Sequence, residues 1–392
     1  MSAPEAGTRA QGTVGNAERR AGVIVVLAVM GLMSMWVADG LLIGRSLAMP
    51  IPALAGITSL TIAIAVMWWI FTKVPYFAPI ARTPRWIALL WGALICVGPV
   101  LAIEDTAVGA FSGLPQVQFG VVISLFNGAT EEVIKGLGVL VIFMLVRRPR
   151  TLVDGFVIGA TVGLGFGLTE GTVYAVRSAW TAGSDGSHAW LGTAMERLIA
   201  DAFAGHWLYS SVIGVGLAYA FIAGWAGPIR RAAVLTGCVA LEIGIHTLND
   251  IGPINAFGTK WSHVFFIIFL ADQVLTVGAA LLVMRWARNR EGEFYVSYLA
   301  DSGSSVVPTE DLTILPHGAT RRHARKAAAK SAPASGNGRG IRRAVRSVHR
   351  AEAQLAVAVS TGHTKATAEL ASLVDHRRAE LTAVSAPGTG AT

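Results

Sequence analysis

Long apolar segments recur along this chain, and they constrain its fold more than any other feature. A segment of about 18 to 25 apolar residues is long enough to cross a bilayer as an α-helix. Hydrophobic residues make up 53% of the chain and charged residues 14%, a balance typical of polytopic membrane proteins rather than soluble domains. The sequence therefore predicts an all-α membrane protein, a bundle of about eight transmembrane helices near Ala21–Ile43, Ile51–Phe71, Trp86–Ile103, Phe119–Val146, Val153–Val176, Leu198–Trp225, Ala232–Ile251 and Val264–Trp286.

Basic residues in the connecting segments predict the orientation of these spans. Lys and Arg concentrate on the cytoplasmic side of a membrane. They precede the first predicted span and follow the second, fourth, sixth and eighth, whereas the alternate connections are poorer in them. This pattern predicts a multi-pass protein of the cell membrane with both termini in the cytoplasm.

Two polar segments flank the predicted bundle, which occupies residues 21–290. Residues 1–20 are small and polar and indicate a disordered leader rather than a cleaved signal peptide, because the apolar run behind them is too long for a signal sequence. Residues 291–392 predict a basic, mostly disordered cytoplasmic tail with a helix near 341–384. No aromatic or motif signature accompanies the basic clusters of this tail. We therefore expect it to lie near anionic lipid and expect no nucleic-acid partner.

The only two cysteines, Cys96 and Cys238, both lie in apolar segments. This placement indicates neither a disulfide framework nor a cysteine-ligated metal site.

Three charged residues interrupt the fourth predicted span. Charged side chains inside a bilayer are costly and usually functional. Glu131 and Glu132 precede Lys135 by four and three residues, so one helical turn brings the ammonium beside either carboxylate. An ammonium favours an ionised carboxylate and a second carboxylate favours a protonated one, so the pair can divide into an acid and a base.

The next three predicted spans also carry polar side chains. Their spacing and the alternating direction of the helices place them at a depth similar to that of the glutamate pair, in the outer half of the membrane. A shared, water-accessible cavity costs less than isolated charges facing lipid. We therefore expect one site that combines the glutamate pair with Phe166, Glu170 and Tyr174 of the fifth span, His206 of the sixth, and His246 and Asp250 of the seventh.

In their order and on consecutive helices, these residues resemble the PrsW family of intramembrane proteases. That family shares a superfamily with the CAAX-processing and bacteriocin-processing membrane proteases. The resembling motifs are Glu131-Glu132-x-x-Lys135, Phe166-x-x-x-Glu170 with Tyr174, the lone His206, and His246-x-x-x-Asp250, within a core at residues 119–251. One departure is Gly171, which stands where an Asn is expected. The resemblance implies hydrolysis of membrane-anchored protein substrates, such as single-span anti-sigma factors cut on their outer side.

Two versions of such a hydrolysis fit the residues. In the first, one glutamate of the pair activates water directly, while His206, His246 or Asp250 stabilises the oxyanion. In the second, His206 and His246 hold a divalent metal such as zinc together with Glu170 or Glu132, and Glu131 is the base. The sequence does not choose between these versions, nor does it show which glutamate of the pair is the base.

Two other classes of protein compete with the protease. A proton- or ion-coupled transporter would use the same glutamates and histidines as a relay, but the chain lacks the paired, broken spans of inverted repeats. A catalytically idle scaffold would not need a complete acid/base set. Among the remaining acids of the spans, we interpret Asp39 and Asp272 as helix–helix contacts and Glu242 as a supporting group.

Overall fold

A computed structural model describes residues 68–182, 205–224, 226–256, 262–303, 306–331 and 338–385, together with a few positions between 21 and 66. Every regular element within these ranges is a helix, and they contain no β-strand. The predicted all-α class is confirmed. Most of the first and second predicted spans, the leader, Asp39 and the loop preceding His206 lie outside the described residues.

Six helices between residues 82 and 301 form most of the described apolar part of the molecule, and the helical residues 68–73 pack against them. The first, α1, runs from Arg82 to Phe111 and widens into a π-helical turn at Trp91–Cys96. Prolines mark two of the helix starts, since Pro115 immediately precedes α2 and Pro228 begins α5. The other helices are α2 (Gln116–Val141, extended by a π turn at Ile142–Val146), α3 (Leu152–Ala182), α4 (His206–Ile222), α5 (Pro228–Ala256) and α6 (Ser262–Asp301).

Helix α3 is the centre of this bundle. Of its most apolar 18-residue window, 83% is buried, compared with 17% for the corresponding windows of α5 and α6. Its backbone touches that of α4, because a Cβ atom added at Gly159 would lie 2.0 Å from the Ser210 carbonyl oxygen. Small residues allow helix backbones to approach this closely in membranes. The outer helices are therefore left with broad apolar faces for lipid.

Four helices among the described residues are long and apolar enough to cross a membrane: Arg82–Phe111, Leu152–Ala179, Pro228–Ile251 and Ile267–Asp301. They correspond to the third, fifth, seventh and eighth predicted spans. Helix α2 coincides with the fourth span but carries three charges within five positions, and only residues 206–222 of the sixth span are described as helix. The number of eight spans therefore stays a prediction.

The C-terminal segment forms helices that pack onto the end of α6. They are α7 (Thr309–Ile314), α8 (Gly318–Lys330), α9 (Gly338–Thr361) and α10 (Thr364–Ser385). Gly303 and Gly362, both with positive φ, terminate α6 and α9. A second hydrophobic core joins Phe77 and Tyr295, whose rings stack with centroids 5.6 Å apart, to Leu299, Leu315, Leu355 and Val374.

This arrangement differs from the mostly disordered tail that the sequence predicts, although the expected helix near 341–384 coincides with α9 and α10. The physical reason is the spacing of apolar residues in α9. Ile341, Val345, Val348 and Leu355 recur at helical intervals and are buried. They supply an apolar stripe that the Ala- and Arg-rich composition conceals.

Candidate active site

Lys135 lies at the middle of a buried polar cluster. Helix α2 places Glu131 and Glu132 one turn before it. Its Nζ lies 3.1 Å from Glu131 Oε2 and 2.6 Å from Glu132 Oε1, with all three side chains at most 3% exposed. The first motif is therefore an ion-paired triad within the bundle, in which both carboxylates share one ammonium.

His206 is the first residue of α4 and joins α2 to α3. Its Nδ1 lies 3.1 Å from Lys135 Nζ, and its Nε2 lies 2.8 Å from Glu170 Oε2. An ammonium can only donate, so Nδ1 accepts from Lys135 and the Nε2–H group donates to Glu170. Glu170 therefore fixes both the orientation and the tautomer of this imidazole.

His246 reaches the same cluster from α5. Its Nδ1 lies 3.0 Å from Glu132 Oε1, and because a carboxylate only accepts, Nδ1–H is the donor. The Nε2 of His246 faces Glu131 Oε2 at 3.6 Å, while His206 Nδ1 lies 3.5 Å from the same oxygen. One oxygen of Glu131 therefore stands between the two imidazoles.

Asp250 and Tyr174 lie further from this centre than the other predicted residues. Asp250 Oδ1 is 3.9 Å from His246 Nε2, beyond hydrogen-bonding distance, and its side chain is 15% exposed. Tyr174 is half-buried one turn beyond Glu170, about 6 Å further along α3.

Aromatic rings surround the charged groups. Phe166 of α3 packs edge-to-face on the His206 ring with centroids 4.9 Å apart, and Lys135 Nζ lies 4.4 Å from the Phe166 centroid. Tyr209 of α4 stacks on His246 at 4.9 Å. Sequence reasoning missed Tyr209, although its position three residues after His206 places it on the same face of α4.

Three further buried acids approach the cluster. Glu104 of α1 lies within hydrogen-bonding reach of Glu131 and interacts electrostatically with Glu170 and Asp250. Glu242 and Asp272 are close enough to His246 to interact with it in the same way. Sequence analysis treated Glu104 as part of a loop because the predicted third span ended one residue before it.

Negative charge is in excess at this site. Two imidazoles and one ammonium face seven carboxyl groups. Some carboxyl oxygens are buried without a hydrogen-bond partner among the described residues: Glu104 Oε1, Glu132 Oε2, Glu242 Oε1 and Asp272 Oδ1. Buried charges of one sign are costly unless protons or cations compensate them. The cluster is therefore built to hold protons, a cation, or both.

The donor set fits a divalent metal. Ligand atoms from Glu131, Glu132, His206 and His246 all lie within 4.8 Å of one another, and imidazole with carboxylate is a common set of zinc ligands. This set contains Glu132, one of the two alternatives that the sequence left open, and does not contain Glu170, which binds the far nitrogen of His206. Lys135 contacts His206 Nδ1, so a metal using that atom would have to displace the ammonium.

Comparison with known proteins agrees with this arrangement. The family model of the PrsW family intramembrane metalloproteases matches residues 82–275. The matched region is wider than the predicted core at 119–251 and takes in both Glu104 and Asp272. No curated protein and no solved structure matches the chain. The chain belongs to the PrsW family of intramembrane metalloproteases.

Proposed function

We propose that this protein hydrolyses peptide bonds of membrane-anchored proteins at a site in the outer half of the bilayer. The observation that carries the proposal is the position of Glu131 Oε2, 3.5 and 3.6 Å from the nitrogens of two imidazoles on different helices. Glu131 can serve as a general base, and His246 in its protonated form can stabilise an oxyanion by donating from Nε2, so the cluster holds both groups that amide hydrolysis requires. Membership in a peptidase family supports this reading and does not favour the transporter.

Glu131 is the better candidate for the base. Glu132 is fully buried and held on one oxygen by both Lys135 and His246. Glu131 makes one hydrogen bond to Lys135, at 3.1 Å, and directs the same oxygen toward the imidazoles. A base needs a free lone pair aimed at the attacking water. Glu132 instead positions His246 by accepting its Nδ1–H.

His246 presents its Nε2 to the reacting groups, and His206 is held from behind by Glu170. In the metal version Glu132, His206 and His246 would hold a zinc ion and Glu131 would stay free as the base, with Glu170 setting the orientation of His206. Zinc, when bound, supplies Lewis-acid activation of the water and of the scissile carbonyl. In either version, Phe166 and Tyr209 restrict access of bulk water and strengthen the electrostatic interactions around the reacting groups.

The substrate class follows from the position of the site. A buried centre between helices admits an extended segment of a neighbouring membrane protein more readily than a folded soluble domain. By family analogy we propose single-span regulatory proteins, such as anti-sigma factors, as substrates. The basic connections predict that both termini face the cytoplasm, which places the cut on the outer side.

Comparative proteomics of membranes tests the function. Membranes carrying the wild type are compared with membranes carrying Glu131→Gln, Glu132→Gln, or the control Asp105→Asn. Asp105 lies on α1, where it pairs with Arg177 on the exposed surface at 2.9 Å. We expect one single-span protein to accumulate uncut with both glutamine variants and not with the control. Full cleavage by inserted Glu131→Gln and Glu132→Gln protein would refute the assignment.

Metal dependence has a separate test. Purified protein should contain near-stoichiometric zinc, and chelation should remove the zinc and the cleavage together. Cleavage by protein shown to be metal-free would exclude the metal version and leave the direct action of the glutamate.

A further inference from the structure

A second cavity lies at the basic end of the bundle. It has a volume of about 360 Å³ and lies among α3, α4, α5, α6 and the segment preceding α3. Tyr219, which lines it, and His206 stand at opposite ends of α4, about 20 Å apart at the rise of an α-helix. The cavity is therefore separate from the glutamate–histidine cluster.

The wall of this cavity is apolar. Leu152, Ile222 and Val234 line it together with the aromatic side chains of Tyr219 and Trp286, whose rings lie 5.8 Å apart. These residues belong to α3, α4, α5 and α6, of which α3, α5 and α6 are long and apolar enough to cross a membrane. Its volume lies within the range of sites that bind small molecules.

The rim of the cavity is positively charged. Arg150, Arg230 and Arg290 come from three different parts of the chain and converge there. Glu293 is the only acid among the described residues that line the cavity. It binds Arg290 at 2.7 Å, which leaves these lining residues with a net positive charge. Three guanidinium groups above an apolar wall match an amphiphile with an anionic head and hydrocarbon chains.

We propose that this cavity binds an anionic phospholipid. The phosphate group lies against the arginine rim and the first part of the acyl chains lies along Leu152, Val234 and Trp286. Basic pockets between transmembrane helices on the cytoplasmic side are suited to such headgroups. A soluble phosphate ester would leave the apolar wall in contact with water, so the lipid is the better match. The proposal does not depend on the proteolytic function.

Native mass spectrometry of the full-length protein in mixed micelles tests the site, with phosphatidylglycerol and phosphatidylcholine supplied in equal amounts. We expect the wild type to retain phosphatidylglycerol selectively. The triple variant R150Q/R230Q/R290Q should bind it at least about tenfold more weakly, since each basic group near the headgroup contributes to the attraction. The matched control R82Q/R148Q/R285Q removes the same charge from exposed arginines outside the cavity and should retain the lipid.

A second variant separates the cavity from general charge attraction. Val234→Trp fills the apolar wall without changing the charge, and it should lose the lipid as the rim variant does. Excess glycerol 3-phosphate should not displace the lipid from the wild type, because the apolar wall contributes to binding. The proposal would be overturned if the wild type retained both lipids equally or if the two triple variants lost phosphatidylglycerol equally. It would also be overturned if Val234→Trp retained the lipid or if glycerol 3-phosphate displaced it.

Discussion

The close contact between α3 and α4 makes the position of His206 sensitive to a single methyl group at Gly163. A Cβ atom there would lie 2.0 Å from the His206 carbonyl oxygen, whereas real Cβ atoms essentially never approach other heavy atoms within 3.0 Å. Gly163→Ala must therefore separate the two helices locally by at least about 1 Å. The substitution alters none of the charged groups of the site.

The separation acts on the hydrogen bond from His206 Nε2 to Glu170, which crosses from α4 to α3 at 2.8 Å. Lengthened to nearly 4 Å, it is no longer a hydrogen bond, and the imidazole loses the partner that fixes its tautomer. Misplacement of a catalytic group by 1 Å costs roughly 100-fold in rate. We expect cleavage by Gly163→Ala to fall by about that factor, measured as accumulation of the uncut substrate in membranes.

Gly155→Ala is the matched control. Its Cβ would lie 2.3 Å from the Gly214 carbonyl oxygen, a comparable overlap in the same helix pair but about 12 Å further from the site along α3. Both variants should lower the melting temperature similarly, while Gly155→Ala keeps cleavage within a few-fold of wild type. If Gly163→Ala cleaves as well as Gly155→Ala does, the helix contact does not position His206.

Three further predictions concern other parts of the molecule. Glu104→Gln removes a carboxyl group beside Glu131 and should weaken zinc binding roughly tenfold, as changes around metal ligands commonly do. Competition with a chelator measures the affinity for zinc. An unchanged affinity would show that Glu104 is not part of the site. Burial lowers the pKa of His349 from 6.5 to about 4, so the neutral imidazole stabilises the fold above pH 6.5 and this stability is lost as the pH falls toward 4. From pH 7 to pH 5, the free energy of unfolding measured by hydrogen exchange over α9 should fall by about 2 kcal/mol more in the wild type than in His349→Gln. An equal pH dependence of the two proteins would contradict this prediction. Gly292→Ala places a Cβ 2.0 Å from the Pro316 carbonyl oxygen and should lower the melting temperature. The control Gly278→Ala, whose Cβ would have no heavy atom within 4 Å, should not lower it. Equal melting temperatures of the two variants would show that the Gly292 contact does not contribute to stability.

Much of the helical framework could be predicted from the sequence, because apolar runs of membrane length have few alternatives to helix. The four motifs were also sufficient to predict that Glu131, Glu132, His206 and His246 lie close together. The prediction rested on helices of alternating direction, which place these residues at a similar depth. The local pairing was not predictable. The rotation of α4 against α3 decides which nitrogen of His206 contacts Lys135 and which contacts Glu170. Backbone contacts at glycines set this rotation.

The residues that sequence reasoning missed have specific causes. Glu104 lies at the end of an apolar run, where span boundaries are least certain. Asp272 was interpreted as a helix–helix contact because it lies on the helix after the motifs, and only the packing of α6 against the bundle brings it toward His246. Helix α8 was not predicted, because its Ala- and Arg-rich composition resembles that of a disordered segment.

Helix α6 extends without interruption from the membrane into the second core. At the α-helical rise its 40 residues span about 60 Å, roughly twice the thickness of the hydrocarbon layer. Near one end Asp272 lies beside the active-site cluster, and toward the other Tyr295 and Leu299 are clamped by the C-terminal helices. One continuous helix therefore connects the second hydrophobic core with an acid beside His246, so the two parts of the molecule share a rigid element.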